Sequence, residues 1–179
     1  MLVIALLMAL CVTGIGYAAW MDTAPIDGTA ETATWDVGGN MEFWRNWHHH
    51  YDEAEVVAWL KHIDAGCQWL GPTTVQGLND LFAAATGGCA TTMTEFLGHY
   101  MATRLNIASG RLESGNTHNI TGVAGHTYLG LSDPESATLS AIVIAIECKY
   151  PHDPEAAWPT SQQYEIMKNI CEAMNNLDT

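Results

Sequence analysis

TMTEFLGHYMATRLNIASG, residues Thr92 to Gly110, carries a start signal, a periodic face and a stop signal in one run. Thr92 with Glu95 three residues later has the form of a capping box, in which each side chain serves a backbone donor that the first helical turn leaves unpaired. Met93, Phe96, Leu97, Tyr100, Met101, Leu105 and Ala108 recur at helical intervals and line one face with apolar groups. Gly110 is the expected stop. The other face holds Glu95, His99, Thr103 and Asn106, which reads as the wet side of a core helix, with a ligand-binding line as the alternative.

Outward from this helix the periods remain helical. Met41–Trp47 reads as a short aromatic helix or turn, and Asp52 as the cap of a helix over Val56, Trp59, Leu60 and Ile63 to Gly66. After the Gly71-Pro72 break, Thr73 or Thr74 opens a helix over Val75, Leu78, Leu81 and Phe82, closed by Gly87-Gly88. Residues 109–130 form a glycine-rich connection in which HTYLGL is a candidate short strand. Ser132 or Asp133 before Pro134 predicts the entry of an apolar helix over Leu139, Ile142, Val143 and Ile146. Thr160 opens the last helix, with Tyr164, Met167, Ile170, Cys171 and Met174 inward. The expected fold is all-α: about five helices in a disulfide-stabilised bundle (41–179), preceded by a short extended or β-type leader (19–40).

A chain of 179 residues with 48% hydrophobic and 15% charged residues has enough apolar material for a core. Its net charge of −14, from 6 Lys and Arg against 20 Asp and Glu, repels phosphate backbones, so nucleic acid is not an expected partner. Residues 1–18 contain an uncharged, mostly apolar run from Leu2 to Ala18, which fits a signal-peptide core with Gly16 and Ala18 before a cleavage point. The positively charged start of an ordinary signal is missing. An uncleaved membrane anchor and a pilin-like filament stem are the alternatives, and membrane contact is expected only through residues 2–18 if they are retained.

The junction that follows resembles that of camelysin and TasA-type surface fibre proteins, on Gly16, Tyr17, Ala18, Trp20, Asp22, Thr23, Ile26, Gly28, Thr32 and Val37. That resemblance implies export by a dedicated signal peptidase. Ala24 to Val37 itself reads as at most a hairpin turning at Asp27-Gly28, and the helical pattern after Gly39 departs from the β-sandwich of that family. From Phe43 to Asn176 the chain resembles the extracellular helical module whose signature is written Tyr-Trp-Lys-Asn-His. Phe43, Trp44, Arg45 and Asn46 match its first four positions, with Trp47 in place of the His. His99, Ala102, Leu105, Asn106 and Ala108 match a second helical pattern, and Asn175-Asn176 a closing Asn pair. The resemblance implies a secreted or surface-displayed module with no catalytic activity to carry over.

With Cys11 in the leader, Cys67, Cys89, Cys148 and Cys171 form an even set that favours two disulfides. Cys67 with Cys89 and Cys148 with Cys171 each join neighbouring helices, and in the chain-entropy model each loop contributes on the order of 3 kcal/mol. For metal, the candidates are His48, His49, His50 and His62, with Glu95 and His99 as a further i, i+4 pair. Consecutive helical residues point in different directions, so the triple His run is not expected to supply three ligands to one ion. No cofactor is expected, a divalent metal being the alternative. His-Glu-x-x-His and a serine elbow are both absent from the sequence. Trp44, Trp47, Trp59 and Trp69 are expected in the core, with a carbohydrate platform as the alternative. Asn119-Ile120-Thr121 is a glycosylation sequon in the glycine-rich loop. Together these readings predict an exported cell-surface structural or interaction module without catalysis, which binds other surface proteins or itself. A filament subunit and a His-dependent metal protein or enzyme are the alternatives.

Overall fold

Six α-helices and one two-stranded ribbon make up the regular structure of residues 38–66, 71–149 and 157–176, the part of the chain that this computed structural model describes. These residues all belong to the unit Trp35–Thr179. The hydrophobic leader, the expected hairpin over 24–37, Cys67, Trp20, Trp35 and Trp69 lie outside them.

Helix α1, Met41–Arg45, is capped by Asn40, whose side chain accepts from the Phe43 N–H, and continues into a 3-10 turn over Trp47–His49. In α2, Glu53–Gly66, the Glu55 carboxylate turns back to accept the Asp52 N–H at 2.9 Å. The hydroxyl of Thr74 caps α3, Val75–Thr86, which ends at Gly87. The long helix α4 spans Thr92–Ala108 and is closed through Ser109 and Gly110, the latter at φ 76°. After a loop, β1 (Thr117–His118) pairs antiparallel with β2 (Ala137–Thr138), Thr117 opposite Thr138. Helix α5 covers Leu139–Glu147, and α6, Ser161–Asn175, starts at a reciprocal capping box between Thr160 and Gln163. The all-α expectation holds, with the ribbon as its only sheet among the described residues.

Three local expectations give way. The capping box of α4 belongs to Thr91 and Thr94, one residue earlier than Thr92 and Glu95. In a Thr91-Thr92 pair the earlier hydroxyl wins, because Thr94 can answer it, and Glu95 is released for a tertiary contact. Helix α5 is capped by Thr138 instead of Ser132 or Asp133, since the intervening residues turn and then pair with β1 while Ile120 donates to Pro134 O at 3.0 Å. HTYLGL holds a 3-10 turn, His126–Leu129, flanked by left-handed Gly125 and Gly130, which bend the chain out of an extended path.

Helix α4 separates two apolar clusters. One gathers Trp44, Trp47, Val56, Leu60, Leu78 and Phe82 against Met101, Ala102 and Leu105; the other packs Leu139, Ile142, Ile146, Met167, Ile170 and Met174 against Phe96 and Tyr100. A helix that serves two cores is buried nearly all round. Gly98 marks the tightest crossing, where a Cβ would lie 2.5 Å from the Met41 sulfur and 2.7 Å from Ala85 Cβ.

Candidate functional site

The third side of α4 meets α6 and the Gly38-Gly39 strap, and there the supposed wet face is internal. Thr103, Asn106 and Asn175 are buried, as are Gly38 and Gly39. Asn106 Oδ1 accepts the Gly39 N–H at 2.7 Å and the Trp44 indole N–H at 2.8 Å. Its Nδ2 donates to Gly39 O at 2.8 Å and to Asn175 Oδ1 at 3.0 Å. One carboxamide thus spends two acceptor and two donor positions, the full capacity of its group. Asn175 Nδ2 continues the chain to His99 O at 2.8 Å, and the Thr103 hydroxyl lies within bonding distance of both Asn175 Oδ1 and His99 O. Only glycine fits the strap: a Cβ on Gly39 would stand 2.5 Å from the Phe43 ring, and one on Gly38 2.9 Å from Asn175 O.

Everything in this network is neutral, which avoids the cost of burying charge, and a saturated network rigidifies the helices it joins. His99 sits at its margin. Its Nδ1 is buried without a hydrogen-bond partner, and burial pushes its pKa below the usual value, while Glu172 and Glu95 pull it up and Lys168 pushes it down. Cys171, beside Thr103, is fully buried, and desolvation pushes its thiol up to about 12. It therefore stays protonated and unreactive.

A second polar group lies on another face of α4. Tyr100 OH and Arg104 Nη1 both donate to Glu147 Oε1 on α5. The Arg104 and Glu147 side chains remain 14% and 19% exposed and border a cleft of about 260 Å³ with His62, Ser114 and Ser140.

The metal candidates are not brought together. His48 and His49 are exposed on the 3-10 turn with their rings 4.1 Å apart, and His50 stacks on Phe43 at 4.3 Å. His62 is exposed on α2, and Glu95 is held by Lys168 at 3.3 Å. Among the described residues no group of three or more His, Cys, Asp or Glu side chains can hold an ion. The cause is placement: the six residues come from three elements and several faces. Phe43 offers no open platform either, because the Arg111 guanidinium covers its other side at 4.2 Å from the ring centre. Trp44 and Trp47 are core residues, and the Trp47 indole donates to Asn79. Arg45 is exposed near Glu42, and Asn46 bonds back to Glu42.

The expected Cys148–Cys171 bridge is not formed: Cys148 is exposed at the end of α5, whereas Cys171 is sealed in the core. Cys89 is free and exposed among the described residues, and its expected partner Cys67 lies outside them.

Of the residues that carried the resemblance, Trp44, His99, Asn106 and Asn175 converge on the network. The sequence reading missed the part played by Gly38, Gly39 and Thr103, and the whole Tyr100, Arg104 and Glu147 group. No protein-family model, no curated protein and no solved structure matches the chain.

Proposed function

We propose that the chain is an exported surface module that acts by structure and interaction, without catalysis, and that it is related to the helical extracellular modules whose motifs it resembles. The observation that carries this reading is the saturation of Asn106, which spends its whole hydrogen-bonding capacity on Gly39, Trp44 and Asn175, as a residue that holds a fold together does. Leu2 to Ala18 acts as the export signal, and the acidic surface keeps the released domain soluble. In an oxidising destination Cys89 closes with Cys67, while Cys148 and Cys171 remain thiols. Self-association or a second surface protein supplies the partner.

The test is the intact mass and N-terminal sequence of the native protein from the cell surface or medium. The expected result is a start near Trp20 and a mass two hydrogens below the reduced mature chain, any added glycan being counted separately. A start at Met1 on a membrane-bound or filamentous chain would replace the signal with an anchor or stem. Stoichiometric zinc after dialysis would move the protein to the metal-dependent class.

A further inference from the structure

The sequon after β1 takes no part in the asparagine network, and its geometry is specific. Ile120, 2% exposed, pins the loop by inserting into the core and donating its N–H to Pro134 O. On either side of it Asn119 and Thr121 are exposed. The Thr121 N–H donates to Asn119 Oδ1 at 2.9 Å, and the Thr121 hydroxyl donates to the same oxygen at 2.7 Å. Two donors on one carbonyl oxygen hold the carboxamide in a single orientation. Its Nδ2 has no protein partner among the described residues. Next in the chain, Gly122 is exposed too and a Cβ added to it would meet nothing within 4 Å, so the backbone that follows the sequon is uncrowded.

We propose that Asn119 is the acceptor of an N-linked glycan. The donor class is a polyprenyl-linked saccharide. Asn119 Nδ2 forms a bond to C1 of the first sugar as the C1–O bond to phosphate breaks. The polyprenyl phosphate or pyrophosphate leaves with the electron pair, and the transferase takes the amide proton. Thr121 supplies the hydroxyl that defines the acceptor, and Ile120 keeps a bulky adduct outside the core. In the cell this rests on the export reading, because the transfer takes place on the far side of a membrane; the site itself is testable without it.

The experiment has two arms. In the first, the native protein is digested, and the Asn119 peptide and the N-terminal peptide are read from the same sample. Glycan on Asn119 supports the site, and a processed, exported chain with bare Asn119 overturns it. In the second, the purified folded full-length chain is incubated with an oligosaccharyltransferase that reads Asn-x-Thr and with its polyprenyl-linked donor. This arm decides the site even if the native chain proves not to be exported. Transfer to the native chain and to Thr121→Ser, with none to Asn119→Gln or Thr121→Val, is the expected pattern. Absence of transfer to the folded native chain, or transfer that survives Thr121→Val, overturns the proposal.

Discussion

Two polar groups on α4 solve the same problem in opposite ways. His99 and Tyr100 are neighbours in sequence, as are Thr103 and Arg104, yet each pair divides between two faces of the helix. On one face the solution is neutral amides, sealed and saturated around Asn106. On the other it is an ion pair with a phenol, left at the margin where water still reaches the charges. The depth of each site matches its chemistry: carboxamides are cheap to desolvate once paired, whereas an ion pair loses hydration that its partner only partly restores.

That contrast is broken or sharpened by four measurements. Asn106→Ala leaves the Gly39 N–H and C=O, the Trp44 indole N–H and Asn175 Oδ1 without their partner, and each orphan costs about 1–3 kcal/mol before relaxation. A loss on the order of 3–5 kcal/mol is expected in denaturant titration; a loss below about 1 kcal/mol would show that the network carries no stability. Gly98→Ala tests the helix crossing nearby. The added methyl must displace both Met41 and Ala85, at an expected cost of about 1–3 kcal/mol, and an unchanged melting temperature would mean that the crossing is loose.

Glu147→Gln keeps an acceptor for Tyr100 and Arg104 but removes the counter-ion of a mostly buried guanidinium, so it should cost about 1–3 kcal/mol, less than Asn106→Ala. Raising the salt concentration should narrow its gap from the native protein, with no such narrowing for Asn106→Ala. Equal costs for the two variants would erase the distinction between the sites.

The smallest effect is a pH dependence at His99. Burial holds its folded pKa below the ordinary 6.5, so as the pH falls through that value the unfolded chain takes up a proton that the folded chain refuses. Stability conferred by neutral His99 is therefore present above about pH 6.5 and drains away below it. His118 is lowered by burial in the same sense and adds a parallel slope. His99→Asn should flatten the native stability curve between about pH 7 and 5 without abolishing it, and superimposable curves for the two proteins would remove His99 from the account.

Much of the architecture was legible in the sequence. Thr74, Gly87, Gly110 and Thr160 each act as the sequence pattern implies, because caps and stops are decided within a few residues. The apolar stripe of α4 was also readable, as were the inward residues of α6. The side of α4 that carries Thr103 and Asn106 was not. A polar line at helical spacing looks the same whether water or another carboxamide stands opposite, and here the partners come from 62 to 72 residues away. Glu95 shows the same limit, since its partner Lys168 is 73 positions off and nothing local announces it. The start of α5 was misplaced for a related reason: Pro134 is a good first-turn residue, but a strand partner twenty residues earlier holds the segment extended. Gly38-Gly39 did carry a usable hint. Paired glycines just before an aromatic helix mark a place where backbone passes close to bulky groups.

That strap also determines how the domain bears load. Tension that reaches Gly38 from the preceding residue meets the strap before the helices of the described residues, and the grip on it is a carboxamide that holds both the N–H and the C=O of Gly39. The grip is rooted in the middle of the folded mass, on the one helix shared by both apolar clusters. Force is thus delivered to the centre and not to a peripheral helix that could peel away first. The strap cannot slip free until both hydrogen bonds to Asn106 break.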